Sequence, residues 1–219
     1  MATITIRRYR NSDHDAVCLL FSEGNMEHVT AAYFYILRVP RVYIPLLLLF
    51  GCMLMVTNSY LLSVLGLSAL VAVGWWSLNS RYHQYVSSRL KGDLYDIDDS
   101  YMEKTNCCFW VAEIDGGVVG TVAVRPAEDS DDEMILKRLC VAKSQRKKGI
   151  GKALCMKVID YARERGYKAV SLETDVIQYD AQTLYERMGF NKYTVQIRPN
   201  LFGKCTTFSS FWYRYEIKS

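Results

Sequence analysis

The residues from Leu139 to Leu154 read LCVAKSQRKKGIGKAL, and they say more about the fold than any other stretch of this 219-residue chain. An apolar run ends at Val141, a short basic turn with two glycines follows, and a helical pattern begins near residue 149. Glycine permits strained dihedrals and a close approach of the backbone to a ligand. The first N–H groups of a helix lack internal acceptors and favour negative charge, so the turn predicts a main-chain cradle for a phosphate-type anion. Four basic side chains add positive charge there: Arg146, Lys147, Lys148 and Lys152.

A second segment gives this turn its context, because the turn alone is a weak signal that matches neither a dinucleotide fingerprint nor a Walker loop. Residues 178–190 read QYDAQTLYERMGF. The two segments together resemble the GNAT acetyltransferase superfamily. Its first motif, [RQ]-x-x-G-x-[GA], follows the fourth strand, and a later motif is close to N-x-x-A-x-x-L-Y-x-x-x-G-F. Gln178 replaces the family's asparagine, so one cofactor contact is expected to differ.

The resemblance implies an α/β fold with a mixed, mostly antiparallel and splayed sheet flanked by helices. It also implies acetyl-CoA as cosubstrate, lying between the fourth and fifth strands. The backbone of residues 139–141 is then expected to bind the pantetheine and polarise the thioester carbonyl. The implied cofactor-binding residues are Leu139, Cys140, Val141, Arg146, Lys147, Lys148, Gly149, Ile150, Gly151, Lys152, Gln178 and Tyr185.

Two catalytic positions follow from the same resemblance. Tyr185 is the expected general acid, since a phenol with a pKa of about 10 can protonate a leaving thiolate. The glutamate that many relatives carry on the fourth strand is Ile135 here. Glu133, two residues earlier on the same strand face, is the candidate base. Glu173 and Asp175 are its rivals, and a water chain without a dedicated base is the remaining alternative.

The acceptor side is less defined by the sequence. Arg138 is a candidate partner for a substrate carboxylate, with a solvent-exposed strand position as the alternative. Glu173 is the second candidate substrate-binding residue. A route through a cysteine thioester is disfavoured, because no histidine neighbours Cys107, Cys108, Cys140 or Cys155 in the sequence to activate it.

A long hydrophobic insert interrupts the domain, with no charged residue between Arg41 and Arg81. About 20 apolar residues suffice to cross a bilayer, so this insert predicts membrane insertion. The polar residues at 57–59 favour a turn. They divide the insert into pieces 42–56 and 60–78, and the first would reach only about 22 Å. A re-entrant hairpin therefore fits better than two full spans, and a single tilted span of roughly 25 residues is the alternative.

The insert narrows the resemblance to the camello-like N-acetyltransferases, which include cysteine-S-conjugate and aspartate N-acetyltransferases. Further matching positions are Asp96, Ile97, Tyr101, residues 108–112, Gly149 and Ile150. This resemblance implies an amine acceptor and attachment to the endoplasmic reticulum membrane. Basic residues flank the insert on both sides, which favours both ends, and the catalytic domain, in the cytosol.

Three regions follow from these patterns. Residues 1–41 hold the first strand and helix, residues 42–80 form the membrane hairpin between the first and second helices of the fold, and residues 81–219 hold the rest with the acetyl-CoA site. The expected strands lie at 3–9, 108–114, 118–125, 134–142, 168–174, 191–198 and 206–217. Residues 11–13 are expected to cap a first helix that carries Val17, Leu20 and Phe21 on one face. A second helix is expected after the insert, in the first part of residues 82–104, and further helices at about 149–165 and 180–188. The strand at 3–9 must pair with a strand after the insert, so the insert must return to its starting side.

Composition excludes several classes of protein. A net charge of +4 without a polybasic tail argues against nucleic-acid binding. The seven cysteines form no C-x-x-C pair and there are only three histidines, so no metal site is expected. The expected function is acetyl transfer to a small amine, with cysteine S-conjugates as the leading acceptors. The alternatives are an aspartate-type acceptor, protein lysine acetylation, and a catalytically silent membrane scaffold.

Overall fold

The computed structural model describes residues 4–197 and 201–218. Its strands are β1 Thr5–Arg8, β2 Cys108–Ile114, β3 Gly117–Pro126, β4 Glu133–Val141, β5 Ala169–Asp175, β6 Asn191–Ile197 and β7 Ser209–Glu216. Its helices are α1 His14–Met26, α2 His28–Leu37, α3 Pro40–Thr57, α4 Tyr60–Leu90, α5 Ile150–Glu164, α6 Tyr179–Met188 and the short α7 Leu201–Thr206. The sequence did not predict α7, and Thr3 and Arg198 of the predicted strands lie outside the described residues.

The strands form one sheet in the order β1–β2–β3–β4–β5–β7–β6. Among the described strands β4 and β5 run parallel, and the other neighbours run antiparallel. This is the mixed, mostly antiparallel sheet that the sequence predicted. β1 pairs with β2 although about a hundred residues separate them, with Thr5 opposite Glu113 and Arg8 opposite Trp110. The chain therefore returns to the same sheet after the insert.

The sheet and α5 enclose the main core. The apolar residues of α5 recur at helical spacing, and Leu154, Val158 and Ile159 are fully buried against β2, β3, β4 and β5. Their burial removes a continuous apolar face from water, which is the dominant stabilisation of such a layer. The position and direction of α5 are thereby fixed, and with them the position of its N-terminus.

Helix α1 covers the other side of the sheet with Val17, Leu20 and Phe21, as its apolar spacing predicted. The expected cap at residues 11–13 is instead a short 3₁₀ turn. Asp13 accepts a hydrogen bond from the Arg10 N–H at 2.9 Å and forms an ion pair with Arg7 at 2.7 Å. Its carboxylate therefore fastens the end of β1 to the start of α1.

The insert is a helical hairpin of α3 and α4, which meet at Asn58 and Ser59. Asn58 takes a left-handed conformation with φ 46°, and the Ser59 side chain accepts the Leu62 N–H. The predicted turn is confirmed, but both predicted lengths were too short. α3 starts at Pro40, a favourable first helical residue, so its 18 residues span about 27 Å. α4 runs unbroken for 31 residues to Leu90, because its polar second half keeps helical propensity.

Both hairpin helices are long and apolar enough to cross a membrane. α3 has no buried residue, and side chains such as Leu48, Met55 and Leu61 are mostly exposed. α2 packs against the same hairpin: the Tyr33 hydroxyl donates to the Val71 carbonyl at 2.5 Å. The first half of α4 is thus anchored to α2, while its second half continues toward the sheet.

Candidate active site

A cleft opens where β4 and β5 diverge. Their parallel pairing runs from Glu133 and Ala169 to Leu136 and Leu172 and then stops. Beyond that point lies a cleft of about 1690 Å³, lined by residues 136–141 of β4 and 172–175 of β5. The sequence predicted this splayed geometry between the fourth and fifth strands.

A β-bulge lies in β4 at the beginning of the cleft. Arg138 has φ +55°, and the register with β3 shifts between Thr121 and Ala123. The Thr121 hydroxyl donates to the Arg138 carbonyl at 2.8 Å and holds the distorted backbone. A bulge bends its strand and interrupts the ladder, which explains why residues 139–141 line a cleft instead of pairing with β5.

The basic turn after β4 has the backbone geometry that the predicted anion cradle requires. Lys147 and Gly149 both have positive φ, at 63° and 83°. Within residues 4–197 and 201–218, the main-chain N–H groups of residues 147–152 have no acceptor. Six successive unpaired donors at the start of α5 suit a multiply charged anion such as a diphosphate. A Cβ on Gly151 would lie 3.1 Å from Leu184 Cδ2, so this glycine lets α5 and α6 pack closely.

The four basic side chains around the cradle differ in their contacts. Lys147 and Lys152 line the cleft. Arg146 also lines it, but it pairs with Glu27, and its Nε donates to the Val141 carbonyl at 3.1 Å. Lys148 is outside the cleft lining and donates to the Gln145 side chain at 2.7 Å. The sequence predicted that Lys148 binds the cofactor. Its position outside the cleft lining does not support that prediction.

Tyr185 projects from α6 into the cleft lining. Only 5% of the residue is exposed, and its ring packs at 5.7 Å from that of Phe190 and 5.9 Å from that of Tyr213. Burial raises the pKa of Tyr185 well above the usual value of a phenol. The hydroxyl is therefore protonated at neutral pH, and the same burial makes it a weaker proton donor than an exposed phenol.

Gln178 takes part in the loop between β5 and α6. Its Oε1 accepts the Thr174 hydroxyl at 2.7 Å and the Asp175 N–H at 3.1 Å. The residue also lines the cleft. The side-chain oxygen is thus committed to the end of β5, which is a structural role that the sequence alone did not indicate.

The candidate bases lie at opposite ends of the strands. Glu133 begins β4, its carboxylate lies 3.9 Å from the Arg214 Nε, and it does not line the cleft. Six residues of strand separate it from Leu139, which corresponds to about 20 Å. Its two rivals, Glu173 and Asp175, do line the cleft. The structure places these rivals, and not Glu133, beside the expected thioester position.

Arg138 is neither solvent-exposed nor free to meet a substrate. Its side chain is 11% exposed, and it forms a bidentate ion pair with Asp93 at 2.9 and 2.5 Å. The Tyr101 hydroxyl donates to the same carboxylate at 2.5 Å, and the guanidinium holds the pKa of Asp93 below its usual range despite burial. The exposed-strand alternative is wrong. Arg138 also lines the cleft, so a substrate carboxylate would share its guanidinium with Asp93.

The rest of the cleft comes from residues that sequence reasoning missed. Glu27 and His28 line it from the link between α1 and α2, and residues of α4 line it from Leu78 to Arg89. Burial lowers the pKa of His28 below 6.5, so its imidazole is neutral at neutral pH. No local motif marks these positions. The helical pattern that continues past residue 82 was the one signal that α4 extends beyond the hydrophobic insert.

Cys140 faces this cleft without the properties of a nucleophile. Burial raises its pKa to about 11, and its Sγ donates to the Leu20 carbonyl at 3.3 Å. A reactive cysteine needs a stabilised thiolate, which this environment opposes. Among the described residues no cluster of histidine, cysteine or carboxylate side chains is arranged to hold a metal ion.

Comparisons with known proteins agree with this geometry. The acetyltransferase (GNAT) family matches residues 73–190, which is more than half of the chain. A Staphylococcus aureus Mu50 acetyltransferase of the GNAT family shares the fold, with a TM-score of 0.60 at 18% identity, covering 99% of this chain and 100% of that one. The chain therefore belongs to the GNAT acetyltransferase family.

Two relatives define its branch. The probable N-acetyltransferase camello of Xenopus tropicalis is 48% identical over 219 residues, covering 100% of both chains. N-acetyltransferase 8 of Rattus norvegicus is 38% identical over 198 residues, covering 88% of each. Within the family, this chain is a camello-like N-acetyltransferase.

Proposed function

We propose that the protein transfers the acetyl group of acetyl-CoA to the amine of a small amino-acid-type acceptor. The observation that carries this proposal is the run of unpaired N–H groups at residues 147–152, beside the gap between β4 and β5. A diphosphate in this cradle places a pantetheine arm along residues 139–141, which have no strand partner on the β5 side.

The chemistry follows from the residues around the gap. The backbone at 139–141 polarises the thioester carbonyl, and the amine attacks it, so a C–N bond forms as the C–S bond breaks. Tyr185 donates its proton to the departing sulfur. The attacking amine gives up its proton to Glu173, Asp175 or neutral His28, directly or through water. His28 joins the two carboxylates of the sequence prediction because it lines the same cleft.

The charge of the cleft supports an acceptor that bears a carboxylate. Arg81, Arg89 and Lys137 line it in addition to the cradle residues. Cysteine S-conjugates carry an amine, a carboxylate and an apolar substituent, and they partition to membrane surfaces. We therefore take them as the acceptor class. Aspartate and protein lysines are the alternatives that the assay below distinguishes.

We further propose that α3 and the first half of α4 insert into the endoplasmic reticulum membrane from the cytosolic side. α3 spans about 27 Å, close to the thickness of about 30 Å of a bilayer core. The tip hydroxyls are internally bonded: Thr57 donates to the Met53 carbonyl at 2.7 Å, and Ser63 to the Ser59 carbonyl at 3.0 Å. The pairing of β1 with β2 puts both ends of the hairpin on one side.

An acetyl-transfer assay in nanodiscs tests the activity. Acetyl-CoA is incubated with S-benzylcysteine, aspartate and a lysine peptide, and free thiol and acetylated product are both measured. We expect stoichiometric transfer to S-benzylcysteine. Transfer to aspartate or the peptide alone would replace the acceptor class. Absence of transfer together with absence of CoA-dependent thermal stabilisation would support the scaffold.

Two exposed cysteines test the topology. Cys205 lies in α7 and Cys52 in α3. In sealed microsomes, a membrane-impermeant maleimide is expected to label Cys205 and to spare Cys52 until detergent is added. Labelling of Cys52 in sealed microsomes, or protection of Cys205, contradicts the proposed placement.

A further inference from the structure

Lys137 is a half-buried amine in the cleft that the proposed proton transfers do not use. It lies in β4 just before the bulge, and it lines the cleft between Leu136 and Arg138. Leu136 is buried in the core with α5, so the next side chain projects from the opposite face of the strand, toward Arg89 of α4. Within residues 4–197 and 201–218, the Lys137 ammonium group has neither an ion-pair nor a hydrogen-bond partner.

The surroundings of Lys137 favour its neutral form. Burial lowers the pKa of Lys137, and three nearby arginines act in the same direction: Arg125, Arg138 and Arg89. Asp93 opposes them, but its carboxylate is already bonded to the Arg138 Nε at 2.9 Å. A lysine that loses its proton more readily offers more of the neutral amine, which is the nucleophilic form.

Lys137 is also within reach of the proposed thioester. Two residues of strand, about 7 Å, separate it from Leu139, where the pantetheine arm is proposed to begin, and a lysine has a flexible four-carbon stem. Three other described lysines line the cleft, namely Lys143, Lys147 and Lys152. They follow β4, at the turn and the start of α5, where the diphosphate is proposed to bind. Among these four, Lys137 is therefore the lysine whose amine can meet the acetyl group.

We propose that Lys137 is itself an acetyl acceptor, so that the protein modifies its own cleft when no amine substrate is bound. The inference rests on the proposed acetyl-CoA-dependent function and adds a covalent modification site to it. The neutral Lys137 amine attacks the thioester carbon, a C–N bond forms and the C–S bond breaks. Tyr185 donates a proton to the departing sulfur, and the proton released from the nitrogen returns to Tyr185 through water. The products are an Nε-acetyl-lysine and free CoA.

The modification has a consequence for the charge of the cleft. Acetylation replaces a positive charge by a neutral amide. The proposed acceptor bears a carboxylate, so the modified protein binds it less tightly. An amine substrate in the cleft meanwhile competes with Lys137 for the same thioester. The modification therefore accumulates when acetyl-CoA is plentiful and the acceptor is scarce, and it lowers acetyl transfer under those conditions.

Isotope labelling of the full chain in nanodiscs tests the modification. The protein is incubated with acetyl-CoA that carries a heavy acetyl group, and peptide mass spectrometry follows the labelled fraction of each lysine with time. Lys91 is exposed and outside the cleft lining, so it reports the background of chemical acetylation. We expect Lys137 to be labelled about tenfold faster than Lys91 or more, since only its amine is held beside the thioester. Added S-benzylcysteine should slow the labelling of Lys137 and leave that of Lys91 unchanged.

Two glycine variants separate self-acetylation from chemical acetylation. Gly149→Glu places a carboxylate in the cradle and should reduce the labelling of Lys137 to the rate of Lys91. Gly116→Glu carries the same substitution in the turn between β2 and β3 and should label Lys137 as wild type does. Equal labelling of Lys137 and Lys91 in wild type, or labelling of Lys137 that persists in Gly149→Glu, would overturn the inference. Wild type that acetylates S-benzylcysteine but leaves Lys137 unmodified would also overturn it while the proposed function stands. Wild type that does neither would contradict the proposed function itself.

Lys137→Gln and Lys137→Arg test the consequence for acceptor binding. The first resembles the acetylated side chain, and the second keeps the positive charge. KM for S-benzylcysteine is expected to be about tenfold higher in Lys137→Gln than in Lys137→Arg, because only the arginine can pair with a carboxylate. S-benzylcysteinamide, which has no carboxylate, should show no such difference. Equal KM values for S-benzylcysteine in the two variants would contradict the inhibitory effect of acetylation.

Discussion

The two walls of the cleft are built in different ways. The proposed cofactor wall is one continuous stretch, residues 136–152, in which a strand, a turn and a helix start follow each other. The opposite side of the cleft is called the acceptor wall because the proposed function places the acceptor there. The acceptor wall combines Glu27 and His28, residues 78–89 of α4, and Phe208. The first wall is a local motif and the second is a product of the fold. The comparison teaches that the residues of the proposed cofactor site can be predicted from a local motif, while those of the proposed acceptor site are known only from the tertiary structure.

The largest effect is expected from a substitution that disrupts CoA binding at the cofactor wall and leaves the acceptor wall unchanged. Gly149→Glu forces a side chain into φ +83° and adds a carboxylate at the unpaired N–H groups. We expect CoA binding to weaken more than about 100-fold, which removes about 2.7 kcal/mol of ligand stabilisation at saturating CoA. Thermal shift with CoA measures this loss.

Gly116→Glu is the matched control for that variant. Gly116 has φ +80° in the turn between β2 and β3, also with open space around it. It should show a similar backbone strain and an unchanged CoA shift. Equal CoA shifts in both variants would contradict the cradle.

A second variant tests the buried ion pair between Arg138, at the bulge in β4, and Asp93, which follows α4. Asp93→Asn leaves the guanidinium of Arg138, 11% exposed, without its ion-pair partner at the β4 bulge. Loss of one partner of a buried pair costs about 3 kcal/mol or more in unfolding free energy. Urea unfolding measures the change.

The exposed pair of Asp132 and Lys168 provides the comparison for Asp93→Asn. Their side chains approach to 2.6 Å with 57% and 71% exposure, so Asp132→Asn should cost less than about 1 kcal/mol. Similar losses in the two variants would argue against a structural role of the buried pair.

Tyr185→Phe tests chemistry without disturbing either wall. We expect kcat to fall about 100-fold with little change in KM for acetyl-CoA, since only the proton donor is lost. Tyr213→Phe removes a neighbouring buried hydroxyl that donates to Glu186 at 2.9 Å. That control should lose about 1 kcal/mol of stability and no activity. A full rate in Tyr185→Phe would remove its assignment as the acid.

The smallest effect concerns His28 on the acceptor wall. Its folded-state pKa is lowered by burial, with Arg146 acting in the same direction and Glu27, Asp175 and Asp180 opposing it. The unfolded state therefore binds a proton first as the pH falls below 6.5. Stability should decline below that pH until the folded-state pKa is passed.

Unfolding free energies between pH 5 and 8 would reveal that decline. His28→Gln should flatten the curve, and His83→Gln, outside the cleft lining, should leave it unchanged. A curve that keeps its slope in His28→Gln would assign the pH dependence to other groups.

Much of the fold was predictable because its signals are local. The apolar run of residues 108–112, the glycines at 116 and 117 that follow it, and the apolar spacing in α5 are each contained in a short segment of chain. The errors lie where distant contacts decide. Glu133 lies on the same face of β4 as the position where many relatives carry the catalytic base. Only the register of β4 with β5 shows that Glu133 begins the strand, far from the gap. Arg138 resembled a substrate ligand until the fold brought Asp93 beside it.

The sequence by itself determined the family, the glycine-containing turn before α5 and the helical hairpin, since each depends on neighbouring residues and on backbone geometry that short segments specify. The tertiary structure decided which carboxylates face the cleft, which arginine is already paired, and that α4 joins the hairpin to the acceptor wall. These facts depend on contacts between residues 36 or more positions apart, and no local pattern contains them. Because α4 continues past its last apolar turn, it lines the cleft from Leu78 to Arg89.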